Sequence, residues 1–330
     1  MEDLNKCFAG APGGHNSLQV VEIRGDMLEF IQNHGFCHYG GKKFCCFFCD
    51  ASPDARYALD MIGKWHETSD QEYRDWVLNV GARNNRHRFP SPFATYALFT
   101  LKMYTVDWMH TVDLGLCRYY ISLAVDYLLR QGWPEISGGV ASETRSLRLS
   151  RLNSNLRDYY KASPRKLTQV GQLKLAAVGK RLLRLKAAEA RDLLPFILQQ
   201  IAKFPAINGN IAEAGRALGD LCDIFKDQPQ EIGEEIQTAA MVLLVRHMHH
   251  FREAGGRLVP KHHYLVHCLA KLHITGNPLY NYVYMDEHYN GVAKKAGRNI
   301  KCHLAFSKNV LKKLLLQNDL ARLHQERTTC

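Results

Sequence analysis

The sequence Cys45-Cys46-Phe47-Phe48-Cys49 contains a pair of thiols, Cys46 and Cys49, in C-x2-C spacing. This spacing lets two thiolates share one tetrahedral Zn²⁺, but two thiolates alone do not complete a site. The chain has ten cysteines, and its first residues lack the basic and apolar regions of a secretory signal. We therefore expect an intracellular protein, nuclear or cytoplasmic, whose cysteines are reduced thiols or metal ligands rather than disulfides. Spare candidates for the metal are Cys37, His38 and Cys45.

Further ligands are offered by the stretch Pro260-Lys261-His262-His263-Tyr264-Leu265-Val266-His267. On a helix, His263 and His267 stand at i and i+4, so both imidazoles lie on one face and can reach one metal ion. His262 is the alternative first ligand at the looser i, i+5 spacing, and the sequence leaves this choice open. The alternative to a metal site is a set of core thiols and helix-surface histidines. The predicted structural zinc site consists of Cys46, Cys49, His267 and one of His262 or His263.

Composition and charge indicate a globular protein with a polyanionic partner. With 330 residues and 46% hydrophobic content, the chain is long and apolar enough to bury a core. The longest apolar run, Ala239–Val245, is far shorter than the ~18 residues of a membrane span, so we expect no membrane partner. Residues 142–191 hold 13 basic and 3 acidic side chains, and residues 291–330 hold 9 and 2. Such segments favour nucleic acid as a partner, and a solvated helix face is the alternative for any one of them.

The hydrophobic periodicity predicts a mainly α chain with a small β part. A buried strand is expected at Leu18–Arg24, because β-branched residues are concentrated there and Gly25-Asp26 ends the run. An irregular Gly- and Cys-rich stretch follows, and helical periodicity dominates from Thr111 onward. The predicted helices after Trp133 are 142–161, Leu175–Phe204 with an interruption or kink at Pro195, Ile211–Phe225, Ile232–Phe251, Pro260–Leu272, Met285–Arg298 and Leu304–His324.

Two carboxylates stand where an enzyme of phosphoryl transfer would hold Mg²⁺. Asp26 directly follows the predicted strand, and a rigid sheet fixes the oxygens of a carboxylate at a strand end. Glu287 shares one helical stripe with Gly291, Lys294 and Arg298, a stripe that offers a carboxylate for a divalent cation and two cations for phosphates. The alternatives are a turn-forming Gly-Asp pair and an ordinary amphipathic helix.

Three polar residues at threefold spacing, Asp107, His110 and Asp113, interrupt an apolar stretch. They could hold a cation or orient a loop. The preferred interpretation is that Asp107 or Thr111 caps the following helix, with His110 hydrogen-bonded locally. The sequence contains no P-loop or H-E-x-x-H pattern, and no nucleophilic triad can be singled out among its many His and Cys residues.

The order of these pieces resembles the catalytic core of DDE/D transposases, which has an RNase H-like fold and a zinc-stitched insertion. A strand ending in Asp26 precedes the C-x2-C pair by 20 residues, and a long helical region, the histidine pair and then Glu287 follow. The stretches Asp107–Gly115 and Pro260–His263 are similar to stretches that recur in CACTA, Plavaka and KDZ-like elements. The chain resembles Transib transposases and the V(D)J recombinase core more distantly. The resemblance spans about residues 18–315.

The resemblance implies a role for each matching residue. Asp26 matches the second catalytic Asp and Glu287 the catalytic Glu, which in that family hold two Mg²⁺ ions together with a third carboxylate. The C-x2-C pair and the histidines match the zinc ligands. DNA is the implied partner, zinc the structural cofactor, and magnesium a cofactor only if the protein is catalytic; a homo-oligomer is left open. The residues expected to contact DNA phosphates are Lys294, Lys295 and Arg298.

The implied architecture is an incomplete RNase H-like core interrupted by a zinc-stitched helical insertion. The core remnant is expected at residues 15–35 and 275–300, and the Cys-rich zinc segment with its loop at 36–106. The helical insertion is expected at residues 107–273, and a basic C-terminal helix at 301–330.

The resemblance also bears on activity. In the family, the first catalytic Asp lies on the opening strand of the sheet, far upstream of the second, whereas only 25 residues precede Asp26. We therefore expect a DNA-associated remnant of a transposable element without strand-transfer activity. A zinc-stabilised helical protein-interaction module is one alternative. The other is a Mg²⁺-dependent nuclease that completes its site with Asp107, Asp113 or Asp286.

Overall fold

The computed structural model describes residues 23–41, 44–80, 88–89, 100–131, 145–174, 182–204, 209–281, 283–284, 291–292 and 295. The chain divides into two compact units, Met1–Asn281 and Tyr282–Cys330, and every element named below belongs to the first. The described residues are mainly helical with one small sheet, so the predicted mainly α class is confirmed. The division into core remnant, zinc segment and insertion stays a prediction.

Two short parallel strands, β1 (Ile23–Gly25) and β2 (Tyr104–Val106), form the sheet and pair in register over three residues. The Asp107 N–H donates to the Gly25 carbonyl at 3.0 Å and extends this pairing past the end of β2. Parallel strands need a crossover connection, and here that connection contains the Cys-rich segment. β1 overlaps the end of the predicted strand Leu18–Arg24, whose first five residues lie outside the described residues.

The crossover connection contains two helices with an irregular segment between them. Helix α1 (Met27–Asn33) begins directly after β1, and the carboxylate of Asp26 accepts a backbone N–H of its first turn at 2.8 Å. Helix α2 (Asp70–Leu78) begins at a reciprocal capping box between Ser69 and Glu72. The described residues between these helices contain two short 3-10 helices, Ala55–Tyr57 and Leu59–Met61, and a bridge between Cys49 and Glu67, and are otherwise irregular.

An aromatic cluster fixes this irregular segment against the sheet. The ring of Phe36 stacks on Phe47 at 4.4 Å, and the ring of Tyr104 on β2 meets Phe30 of α1 edge to face at 5.4 Å. These side chains are fully buried, so the segment derives its order from apolar burial rather than from regular hydrogen bonding. The cluster comprises Phe30, Phe36, Phe47, Tyr73 and Tyr104.

Eight α- or π-helices follow β2 in the described part of this unit. α3 is wound in the wide π form and runs directly into α4, and a π-helical run of nine residues is uncommon. The helices are α3 (Met109–Cys117), α4 (Arg118–Gln131), α5 (Arg145–Ala162), α6 (Ala187–Ala202), α7 (Gly209–Asp223), α8 (Glu234–Glu253), α9 (Pro260–Ala270) and α10 (Leu272–Thr275).

Helix α9 approaches α3 closely because Gly115 has no side chain. A Cβ atom at this position would lie 2.7 Å from the side chain of Lys261, so the stem of this lysine occupies the space that any other residue would fill. The Lys261 ammonium donates to the carbonyl of His110 at 2.5 Å. This contact holds α9, which carries the histidine pair, against the helix that follows β2.

One predicted helix is wrong over part of its length. Of the predicted helix Leu175–Phe204, residues 175–181 lie outside the described residues. Residues 182–186 are not helical, and α6 begins only at Ala187. The backbone N–H of Leu183 donates to the hydroxyl of Ser122 on α4 at 3.1 Å, a tertiary bond that replaces a helical one. α6 also continues through Pro195 without the predicted interruption. The predicted helices 142–161, Ile211–Phe225, Ile232–Phe251 and Pro260–Leu272 correspond to α5, α7, α8 and α9 with shifted ends.

Candidate metal centre

Two thiols and two imidazoles meet in the interior. Cys46 and Cys49 come from the irregular segment between α1 and α2, and His263 and His267 come from α9. All four residues are buried, and one ligand atom from each lies within 4.8 Å of the other three. The sequence predicted that these thiols and imidazoles would meet, and the structure places them together.

Three of the six distances between the ligand atoms match the edges of a coordination tetrahedron, and all six are within 4.8 Å. The Nε2 atoms of His263 and His267 are 3.2 Å apart; Cys49 Sγ lies 3.4 Å from the first and Cys46 Sγ 3.6 Å from the second. Ligand bonds of about 2.0 Å to nitrogen and 2.3 Å to sulfur give edges of about 3.3 Å for N···N and about 3.5 Å for S···N. The cluster can therefore hold one metal ion with all four residues as ligands.

Hydrogen bonds to His263, Cys46 and Cys49 orient these three ligands toward the centre of the cluster. The Nδ1 atom of His263 lies 3.1 Å from the carbonyl oxygen of Arg56, an arrangement that places a proton on Nδ1 and leaves the Nε2 lone pair for a metal. The backbone N–H groups of Phe48 and Ala51 donate to the sulfurs of Cys46 and Cys49 at 3.3 and 3.5 Å. These bonds stabilise negative charge on sulfur.

The environment of Cys46 favours the thiolate that a metal ligand requires. Burial opposes ionisation of this thiol, but the hydrogen bond with Cys49 and the neighbouring imidazoles of His267 and His263 outweigh it and lower the pKa of Cys46 well below its usual value. The centre thus has the electrostatic character of a site prepared for a cation.

Aromatic rings close the centre from outside. The Trp65 ring lies 4.7 Å from that of His263, and the Phe48 ring 5.3 Å from that of His267. The hydroxyl of Tyr264, between the two histidines, donates to the Cys45 carbonyl at 3.3 Å and ties α9 to the Cys-rich segment. With four protein ligands and aromatic walls, this is the arrangement of a structural metal site rather than of a catalytic one with an open position.

The structure separates His262 from the cluster and places His263 in it. The His262 ring stacks on that of His247 at 5.7 Å, and its Nδ1 atom accepts the backbone N–H of Val259 at 3.1 Å. A residue five positions before His267 is rotated by about 140° around a helix, against about 40° for a residue four positions before it. Of the spare candidates, Cys45 Sγ donates to the Ala51 carbonyl, His38 Nδ1 accepts from Gly40, and Cys37 is buried outside the cluster.

A second group of ionisable side chains lies at the edge of the parallel sheet where both strands end. Asp26 follows β1 and Asp107 follows β2, and Gly25 and Val106 before them are paired. Asp107 is fully buried. Its Oδ2 accepts the N–H of His110 at 2.8 Å, as the capping interpretation predicts. Its Oδ1 has no hydrogen-bond partner within the described part of the chain.

Charges around this edge are mutually coupled. The Asp107 carboxylate contacts Nδ1 of His110 at 2.8 Å, and although burial of the ring acts the other way, this contact raises the pKa of His110. Burial lowers the pKa of Lys261 to about 8, while Asp26 and Asp107 oppose that change.

Asp113, a further candidate, is buried on α3. The sequence offered Asp107 as one of three acids that could complete a magnesium site, but not as the residue that follows the strand beside β1, because β2 has only three residues. Its signal is the run Tyr104-Thr105-Val106 immediately before the Asp.

The remaining predicted residues belong to the stripe around Glu287. Lys295 is described and exposed. Glu287, Lys294 and Arg298 lie outside the described residues, as does Asp286, so the predicted catalytic and phosphate-binding roles of this stripe stay predictions.

Comparisons of the chain with protein-family models, with curated proteins and with solved structures find no match in any of the three. Among the helices that the structure describes, none combines the length and the apolar character needed to cross a bilayer.

Proposed function

We propose that the chain is a DNA-associated protein derived from a DDE transposase, with one zinc ion closing its helical insertion. The observation that carries the proposal is the buried cluster of two thiols and two imidazoles, which joins the C-x2-C pair to α9. In the transposases that the sequence resembles, these same elements in this order enclose the insertion.

Zinc is the metal that suits this cluster. Two thiolates and two imidazoles in tetrahedral arrangement are the ligand set of structural zinc sites, whereas Mg²⁺ and Ca²⁺ prefer oxygen ligands. The ligands come from segments more than 200 residues apart in sequence. A zinc ion here would therefore fix the tertiary structure and leave binding and chemistry to other surfaces.

A basic surface on α5 and the segment after it supports the association with DNA. Residues 142–191 carry 13 basic and only 3 acidic side chains. Four of the cations are exposed within ten residues of one another. Exposed cations on one segment attract phosphates without reading a sequence, which is the non-specific mode of DNA binding. The four are Arg157, Lys161, Arg165 and Lys166.

We expect the full chain to bind duplex DNA with an affinity that falls steeply as salt rises. Replacing Arg157, Lys161, Arg165 and Lys166 together by Gln should weaken binding at least tenfold and flatten the salt dependence, because fewer counterions are released from DNA. Gel-shift titrations across a salt series measure both effects. The matched control neutralises four exposed cations elsewhere, Lys64, Lys102, Lys226 and Arg257, and should retain most of the affinity.

Two outcomes contradict the DNA proposal. One is an affinity for duplex DNA that does not change with salt. The other is equal weakening by the α5 variant and by its control, which would show that net charge rather than this surface governs binding. A folded, zinc-loaded chain with no affinity for DNA would favour a protein-interaction module instead.

A second candidate function is supported by the carboxylates at the sheet edge. Asp26 and Asp107 end adjacent parallel strands, and the buried Oδ1 of Asp107 has no partner among the described residues. Two carboxylates fixed by one sheet edge are a recurrent way to hold Mg²⁺ for attack on a phosphodiester. Asp107 would supply a carboxylate beside Asp26, as the substituted-carboxylate alternative requires.

For this candidate we expect Mg²⁺-dependent nicking of supercoiled plasmid that is lost when Asp26→Asn or Asp107→Asn is introduced. Asn retains the capping hydrogen bonds of both residues, so the fold should survive while the cation loses charged ligands. Asp60→Asn, a change of the same charge outside the sheet edge, should nick as the parent does. Nicking that persists in the Asp107 variant, or none from the folded parent chain, would refute the candidate.

A further inference from the structure

A second pair of thiols lies outside the metal centre. Cys117 is the last residue of α3, and Cys222 lies one residue before the end of α7. Their sulfur atoms are 4.0 Å apart although the residues are separated by 105 positions in the sequence. Neither residue belongs to the metal cluster of Cys46, Cys49 and the two histidines.

The two thiols differ in exposure and therefore in reactivity. Cys117 is fully buried, whereas Cys222 is partly exposed. The hydrogen bond with Cys222 and the burial of the sulfur raise the pKa of the Cys117 thiol well above its usual value. An oxidant from solvent therefore meets the Cys222 sulfur first, with the Cys117 thiol beside it as a resolving partner.

We propose that Cys117 and Cys222 form an oxidisable dithiol, which a hydroperoxide converts into a disulfide between α3 and α7. The Cys222 sulfur attacks the peroxide and gives up its proton; the O–O bond breaks, the departing oxygen takes that proton and leaves as alcohol or water, and Cys222 becomes a sulfenic acid. The sulfur of Cys117 then attacks the sulfenic sulfur. The S–S bond forms, and the departing hydroxide takes the proton of Cys117 as water. Two thiols are oxidised by two electrons and one peroxide is reduced.

The geometry permits this bond with small movements. The sulfur atoms must approach by about 2 Å to reach the length of a disulfide, a shift that side-chain rotation on two neighbouring helices can provide. The new bond would join the helix that begins beside Asp107 to α7 and would close a long loop of chain. Closing a long loop restricts the unfolded state, so oxidation should stabilise the protein.

The test treats the full chain, freed of reductant, with increasing hydrogen peroxide. We expect the intact mass to fall by two hydrogen atoms, peptide mapping to find Cys117 linked to Cys222, and the midpoint of thermal unfolding to rise by several degrees. Dithiothreitol should reverse all three changes. Cys222→Ser should abolish the link and the rise in midpoint. The control Cys268→Ser changes a buried thiol outside the pair and should retain both.

Two results overturn the proposal. One is a folded parent chain in which mapping finds no link between Cys117 and Cys222 at any peroxide concentration that oxidises other cysteines. The other is a link that joins only Cys46, Cys49 or further thiols, which would place the oxidisable pair in the metal centre. Because Cys222 is partly exposed, its replacement by Ser perturbs the core less than replacement of Cys117, and the mapping of the parent chain needs no variant.

Discussion

Removal of the metal is expected to destabilise strongly the unit that contains the sheet and helices. The four ligands of the centre join the irregular Cys-rich segment to α9, and this segment has few backbone hydrogen bonds of its own. Without a cation, the imidazole nitrogens of His263 and His267 face each other at 3.2 Å in a buried space. Apparent zinc-binding energies of about 10–16 kcal/mol in small zinc domains indicate how much folding energy such an ion can supply.

The measurement is thermal unfolding of the full chain before and after chelation, with zinc released under denaturing conditions and quantified. We expect close to one zinc per chain, and a fall in the unfolding midpoint of at least about 10 °C when several kcal/mol are lost from a unit of this size. Limited proteolysis should then cut first between residues 34 and 69, because those residues depend on the centre for their position.

Adjacent cysteines provide the matched variants for this prediction. Cys46→Ser removes a ligand, whereas Cys45→Ser changes a buried neighbour whose sulfur donates to the Ala51 carbonyl, a bond that a serine hydroxyl can also form. We expect the Cys46 variant to lose zinc and stability and the Cys45 variant to retain both. If chelation leaves the midpoint unchanged, or if both variants lose zinc equally, the cluster does not bind a structural ion.

The metal centre could be predicted from sequence because local spacing sets most of its geometry. Two residues in C-x2-C spacing share a turn of chain, and two histidines four apart share a helix face, so each half of the site is a local property. The choice between His262 and His263 was left open, although helix geometry places the residue four positions before His267, and not the one five before it, on the same face. Pro260 at the first position of α9 places His262 so that its ring reaches back to the Val259 N–H.

The sheet edge was harder to predict because one of its strands is very short and the two strands are far apart in the sequence. β2 has three residues, fewer than the four to eight over which alternation becomes a usable signal. Its partner β1 lies about 80 residues earlier, and parallel pairing leaves no turn motif between the strands. Asp107 was therefore predicted as a helix cap, as part of a possible cation site with His110 and Asp113, or as one of three acids that could complete a magnesium site. Only the fold shows that it follows the strand paired with β1.

The helix prediction was wrong at residues 182–186 for a different reason, because tertiary contacts outweigh helical periodicity there. The sequence there is rich in Leu, Arg and Lys, all good helix formers. The Leu183 N–H nevertheless bonds to the Ser122 hydroxyl of α4, and the side chains of Leu183 and Leu185 are buried. The burial of these two leucines and the bond to Ser122 are tertiary contacts, which the sequence of the segment itself does not indicate.

Acidification below pH 6.5 is expected to destabilise the protein through His247. This residue lies on α8 and is fully buried, with its Nδ1 atom 2.9 Å from the Ala214 carbonyl of α7. Burial lowers the pKa of His247 to about 4, and the Ala214 carbonyl only partly opposes this. The ring of His262 stacks against it, and burial together with the neighbouring His247 lowers the pKa of His262 to about 3.

The direction of the pH dependence follows from the number of protons that the folded and unfolded chains bind. Between pH 6.5 and about 4 the unfolded chain binds a proton at this histidine and the folded chain does not. The free energy of unfolding therefore rises with pH across that interval, and the stabilising contribution of His247 is lost as the pH falls. A shift of this size corresponds to about 3 kcal/mol from His247 alone. Above pH 6.5 the contribution is complete and independent of pH.

Urea unfolding at a series of pH values isolates this effect when the parent is compared with His247→Gln. The variant loses stability at pH 7, because glutamine fills the stacked position less well, but it has no group to protonate there. The difference in unfolding free energy between parent and variant should therefore shrink by about 3 kcal/mol from pH 7 to pH 4. Protonation of the metal ligands affects both proteins equally and cancels in this difference.

His249→Gln, at an exposed position on the same helix, should follow the parent curve throughout. Parallel curves for the parent and the His247 variant between pH 6.5 and 4 would show that the buried imidazole does not govern the acid response.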